Sequence, residues 1–99
     1  MRNIDVNEQA LAELCKISGI VRLSVFGSVL RQDFNDKSDV DLLVVFGEGS
    51  KVDLYDICII RDRLSEIIGR EVDLVEEKAL INPFRRREIM SNVEVLYAA

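Results

Sequence analysis

Phe26-Gly27-Ser28, then ten residues, then Asp39-Val40-Asp41-Leu42-Leu43-Val44-Val45-Phe46 is the stretch whose reading decides the fold. The apolar run after Val40 has the length of a buried strand. Residues two apart in a strand share a face, so Asp39 and Asp41 are expected to project together from one edge of a hydrophobic sheet. Two neighbouring carboxylates repel each other, and burying them unpaired is costly. A divalent cation resolves both problems. Mg²⁺ is a hard ion that takes one or two carboxylates plus phosphate oxygens. The spacing therefore points to a metal-nucleotide site, while a solvated turn explains Asp-Lys-Ser-Asp equally well when that segment is taken alone.

The segment before it shifts the balance. Val21-Arg22-Leu23-Ser24-Val25-Phe26 alternates as a strand and runs into Gly27-Ser28. Glycine at that point permits a positive φ or close approach of the backbone to a ligand. Val29 to Gln32 could open a short helix whose free N–H groups, with the Ser28 hydroxyl, would cradle phosphate. Further on, Glu71-Val72-Asp73-Leu74-Val75 is a second short apolar strand with an acid inside it. Asp73 there requires a partner, either an arginine such as Arg70 or a cation shared with Asp39 and Asp41.

The rest of the chain reads as one α/β domain over residues 1–99. A helix is expected from Asp5 to Ile17, capped by Asp5, with Leu11, Leu14 and Ile17 as its apolar stripe and Gly19 as its stop. A second is expected up to Ile68, with Ser50 and Asp53 as its capping pair and Leu54, Ile57, Leu64, Ile67 and Ile68 inward. The strand–helix–strand order around it favours parallel pairing of the strands at Val40–Phe46 and Val72–Val75. Asn82-Pro83 supplies an N-cap and first helical residue for a helix to about Met90, and Val93 to Tyr97 forms a last strand. The predicted architecture is a small mixed sheet with helices packed on one face.

Composition narrows the chemistry. The chain has no histidine, which removes His bases, His-ligated zinc and Ser-His-Asp triads and leaves carboxylate and metal chemistry. Its net charge of −5 makes it a poor binder of polynucleotides, so no direct nucleic-acid substrate is expected. Cys15 and Cys58 both fall in predicted helices and read as small apolar residues, with no disulfide. No apolar run reaches the roughly 20 residues of a membrane span. The N-terminus lacks a signal-peptide pattern, so a cytoplasmic protein is expected. Arg85-Arg86-Arg87 reads as a solvated helix face, and its three side chains cannot all serve one site.

Taken together, Phe26-Gly27-Ser28, the ten-residue spacing, Asp39-x-Asp41-Leu42, Ser38, Val72-Asp73-Leu74-Val75 and the Asn82-Pro83, Glu88-Ile89 and Val95-Leu96-Tyr97 tail resemble the DNA polymerase beta-type nucleotidyltransferases. The size resembles their small prokaryotic branch, the minimal nucleotidyltransferase (MNT) antitoxins. Arg31 keeps a basic residue after Gly-Ser, between the larger Leu30 and Gln32. The resemblance implies a polymerase beta-like fold, Mg²⁺ held by Asp39, Asp41 and Asp73, and ATP bound about Gly27, Ser28, Arg31 and Ser38. It implies transfer of AMP to a tyrosine of a helical HEPN-type ribonuclease toxin, which would silence the toxin, with assembly into a homo-oligomer or a complex with the toxin. A module of the same fold that neutralises its partner by contact alone, and transfer to a small molecule, are the competing readings.

Overall fold

A computed structural model of the protein describes residues 6–27 and 39–99. The elements are α1 (Glu8–Ser18), β1 (Ile20–Phe26), β2 (Val40–Phe46), α2 (Leu54–Ile68), β3 (Val72–Glu76), a 3₁₀ turn (Glu77–Ala79), α3 (Pro83–Met90) and β4 (Val93–Ala98). The strands form one mixed sheet in the order β3-β2-β1-β4. β1 is antiparallel to both β2 and β4, and β2 is parallel to β3, as the crossover through α2 requires. Among the described residues, no helix is long and apolar enough to cross a membrane.

The sheet has two unlike faces. Val40, Leu42 and Val44 of β2 alternate into a core with Leu23 and Val25 of β1, Val72 of β3, Leu11 and Cys15 of α1, and Ile60, Leu64 and Ile68 of α2. This is the helix-covered face that the sequence leads one to expect. Leu43 points the other way, into a smaller cluster with Leu80 and Ile89, joined by Phe26, Val75, Met90 and Val93. The short α3 therefore lies over the opposite face. The apolar phase of β1 slips between Ile20 and Leu23, and a register irregularity between Ile20 and Arg22 absorbs it. Such a bulge keeps Ile20 on the same face as Leu23 and Val25.

Local signals explain most boundaries, with some corrections. α1 is capped by Asn7, whose side chain accepts from the Ala10 N–H at 3.1 Å. The expected cap, Asp5, lies outside the described residues. Ile17 is 85% exposed and Cys15 takes its place in the core. The reason is geometric: steps of three drift by about 60° around a helix, whereas Leu11 and Cys15 are about 40° apart. For the same reason Leu54, about 80° from Leu64 around α2, is exposed and Ile60 is buried instead. Asp53, not Ser50, caps α2. Asp53 accepts from the Asp56 N–H at 2.8 Å while Asp56 accepts from the Asp53 N–H at 3.3 Å, a reciprocal capping box. Asn82 caps α3 as expected, its side chain accepting from Phe84 and Arg85. The expected short helix at residues 29–32 lies outside the described residues.

Both cysteines are free thiols. Burial pushes the Cys15 thiol up to about 11, so it stays protonated and inert near neutral pH. On the opposite face, Glu77 joins three elements. It accepts from Arg22 of β1 and, at 3.0 Å, from Arg86 of α3. One residue of the arginine triplet is thus a structural tie.

Because Leu43 is 2% exposed and seats α3 through Ile89, Leu43→Ala is expected to cost about 2–5 kcal/mol. Urea unfolding followed by circular dichroism measures it. A loss below about 0.5 kcal/mol, the ordinary size for a surface substitution, would mean that α3 does not depend on this contact.

Candidate active site

Strand alternation places the acids on the face away from α1 and α2. Val40 and Leu42 flank Asp41, Val72 and Leu74 flank Asp73, and all four apolar side chains belong to or pack against the helix-covered core. Asp41 and Asp73 must therefore both point to the opposite face. They are also register partners, Asp41 of β2 against Asp73 of β3. Neighbouring strands lie about 4.8 Å apart, and parallel partners project in the same direction. The backbone thus sets two carboxylates side by side at one edge of the sheet. Asp39 lies just ahead of β2, next to Val40, whose N–H donates to the Glu71 carbonyl at 2.9 Å. That bond anchors the start of β2 to the approach of β3.

On the other side of Asp41 lies the end of β1. Phe26 is the β1 register partner of Asp41, and Gly27 follows with φ +74°. A Cβ built on Gly27 would sit 2.4 Å from Asp41 Oδ2. The glycine is required twice, by a left-handed backbone and by a carboxylate packed against its Cα. The positive φ expected of this glycine is present, and the group that its missing Cβ makes room for is the Asp41 carboxylate.

A cleft of about 450 Å³ opens here, lined by Phe26, Gly27, Asp41, Glu88, Ile89 and Asn92. Its far wall is α3 and the turn after it. Ile89 fixes that wall by packing with Leu43 and Leu80. Glu88 and Asn92 had no assigned role in the sequence reading. The signal that could have found them is the phase of α3: once Ile89 is buried, Glu88 beside it faces the rim.

Of the expected site residues, Gly27, Asp39, Asp41 and Asp73 are described, and Ser28, Arg31 and Ser38 lie outside the described residues. Among the described residues, no group of three or more Cys, Asp or Glu side chains is gathered so as to hold a metal ion. The donor set still suits Mg²⁺. The carboxylates are hard oxygen ligands, and this ion needs only one or two of them when phosphate oxygens complete its octahedron. Packed on Gly27, Asp41 has one oxygen directed at the turn where phosphates would arrive.

Comparison with known proteins shows the family to which this fold belongs. The profile of the family described as "Nucleotidyltransferase domain" matches residues 8–96. The chain belongs to this family. As a nucleotidyltransferase-domain protein it is 32% identical over 94 residues to the Methanocaldococcus jannaschii protein named "Putative protein adenylyltransferase MJ0435", covering 95% of this chain and 99% of that one. A solved structure described as a "putative minimal nucleotidyltransferase" superposes with a TM-score of 0.70 at 37% identity, over 87% of this nucleotidyltransferase and 85% of that chain. A chain from the complex of tri-AMPylated Shewanella oneidensis HEPN toxin with MNT antitoxin superposes with a TM-score of 0.63 at 18% identity, over 94% of this chain and 71% of that one. At that identity the likeness is one of fold. The mixed sheet expected for a polymerase beta-like nucleotidyltransferase is the sheet observed.

Gly27→Ala is expected to remove nucleotide binding by displacing the Asp41 carboxylate and straining a left-handed backbone, at a cost of about 1–2 kcal/mol in stability. Asp41→Asn is expected to remove the same binding at a smaller cost in stability than Gly27→Ala, since it keeps the side chain's size and relieves like-charge repulsion with Asp73. Thermal melts with and without Mg²⁺ and ATP separate the two effects. An ATP-dependent rise in Tm that survives in either variant would contradict the site.

Proposed function

We propose that this nucleotidyltransferase transfers AMP from ATP to a hydroxyl group on a partner protein. The observation that carries the reading is the pairing of Asp41 with Asp73 on the open face of the sheet, with Gly27 packed under Asp41. Asp39 and Asp41 would hold Mg²⁺, with Asp73 as a further ligand, and Gly27, Ser28, Arg31 and Ser38 would hold the nucleotide. When bound, Mg²⁺ neutralises phosphate charge and lowers the pKa of a coordinated hydroxyl.

The acceptor oxygen attacks the α-phosphorus, a new P–O bond forms, and the bond to the β-phosphate oxygen breaks. Pyrophosphate leaves with its charge. The hydroxyl proton passes to Asp73 or through it to water, since Asp73 lies beside Asp41 and is exposed to solvent. Positioning and charge neutralisation supply most of the acceleration in transfers of this type.

The acceptor is a protein. The relative named as a protein adenylyltransferase supports this, and so does the similarity to a complex that contains an AMPylated HEPN toxin. We take the partner to be a helical HEPN-type ribonuclease toxin, the acceptor to be one of its tyrosines, and the protein to be its antitoxin.

Incubation with ATP, Mg²⁺ and a HEPN toxin encoded beside this protein tests the reading. Mass spectrometry is expected to find the toxin heavier by one or more AMP units, and the adduct is expected to vanish with Asp41→Asn. If no adduct forms and Asp41→Asn still silences the toxin as well as the wild type does, neutralisation is by contact alone.

A further inference from the structure

The strand order divides the surroundings of Asp41 into two unlike halves. Toward β3 stands Asp73, the acid assigned above to the acceptor hydroxyl. Toward β1 lies the cleft formed by Phe26, Gly27, Glu88, Ile89 and Asn92. Glu88 and Asn92 are four positions apart along the end of α3. Their backbone is fixed on both sides. Ile89 between them is 9% exposed, the Ser91 hydroxyl donates to the Glu88 carbonyl at 2.8 Å, and the Asn92 N–H donates to the Ile89 carbonyl at 3.3 Å. Glu88 and Asn92 thus sit on a fixed stretch of backbone and line the same cleft as the acid that would carry the metal.

We propose that Glu88, assisted by Asn92, recognises the ribose hydroxyls of the nucleotide and makes the enzyme selective for ribonucleotides. The proposal rests on the nucleotidyltransferase reading of the site. With the α-phosphate at Asp41 and the phosphates at the Gly27 turn, the next group along the nucleotide is the sugar. The only remaining polar wall among the described residues of the cleft is Glu88 with Asn92. A carboxylate repels the triphosphate, so this wall suits a neutral group rich in O–H donors. Its two oxygens can accept from two neighbouring hydroxyls, the geometry by which acids hold ribose in other nucleotide sites. Phe26 and Ile89 supply apolar surface for the rest of the sugar and the base.

Calorimetric titration with ATP, 2′-deoxy-ATP and 3′-deoxy-ATP, each with Mg²⁺, tests the assignment. The wild type is expected to bind ATP about tenfold or more tightly than the weaker deoxy analogue, the usual loss when a hydrogen bond to a charged group is removed. Glu88→Ala is expected to bring ATP down to the level of that analogue, and Glu88→Gln, which keeps one acceptor oxygen, to fall between. Glu88 is exposed, so the variant without ligand should melt with the wild type. Equal binding of all three nucleotides by the wild type overturns the proposal, as does a Glu88→Ala variant that weakens all three alike. Binding of none of them overturns the nucleotidyltransferase reading together with it.

Discussion

The parallel register of β2 on β3 is the constraint on which the rest depends. Side chains in a strand repeat every two residues, so a slip of one would exchange the faces. Val40, Leu42 and Val44 would leave the core, and Asp41 would enter it. The apolar side of β2 shares one buried core with residues of α1, α2, β1 and β3, so the register is strongly specified by burial. The same burial delivers Asp41 next to Asp73 on the other face. The core therefore positions the chemistry.

That arrangement works against local electrostatics. Two carboxylates at strand spacing repel, and Gly27 lets one of them pack still closer to the backbone. The acids stand on the more open face of the sheet, and Asp73 is exposed to solvent there. α3 covers that face only in part. The 3₁₀ turn supports it from below through Glu77, held by Arg22 and Arg86, while Leu43 and Ile89 form its apolar seat. The helix is short and carries three consecutive arginines, so its position rests on these few contacts. It forms one wall of the cleft beside Asp41, and the contacts that seat it also shape the site.

Much of this was legible from the residues. The β2 run, the acid within β3, the Asn82-Pro83 start of α3 and the parallel crossover through α2 follow from strong, local patterns. What was missed has a physical reason. Ile17 and Leu54 looked inward because spacing by three was given the same weight as spacing by four, yet a step of three drifts by about 60° around the helix and a step of four by about 40°. The cap of α1 passed to Asn7 and that of α2 to Asp53 because each cap accepts the N–H three residues on, a choice settled by where the helix begins. Glu88 entered only as part of the family-like tail and Asn92 not at all, because a short polar helix has no apolar period to fix its rotation. Only the packing of Ile89 on Leu43 does that, and this contact spans the sheet. Ser28, Arg31 and Ser38 stand outside the described residues, and their expected roles rest on the sequence.

In the proposed reading, the register of β2 on β3 brings Asp41 and Asp73 to the side of the sheet where Mg²⁺ and the nucleotide would bind. The most direct measurement is a crystal structure with Mn²⁺ and a non-hydrolysable ATP analogue, with the ion located by anomalous scattering. The account predicts the ion between the carboxylates of Asp39 and Asp41, with phosphate oxygens completing its shell and Asp73 facing the same space. An ion bound elsewhere, or a nucleotide seated away from Gly27 and Asp41, would contradict it.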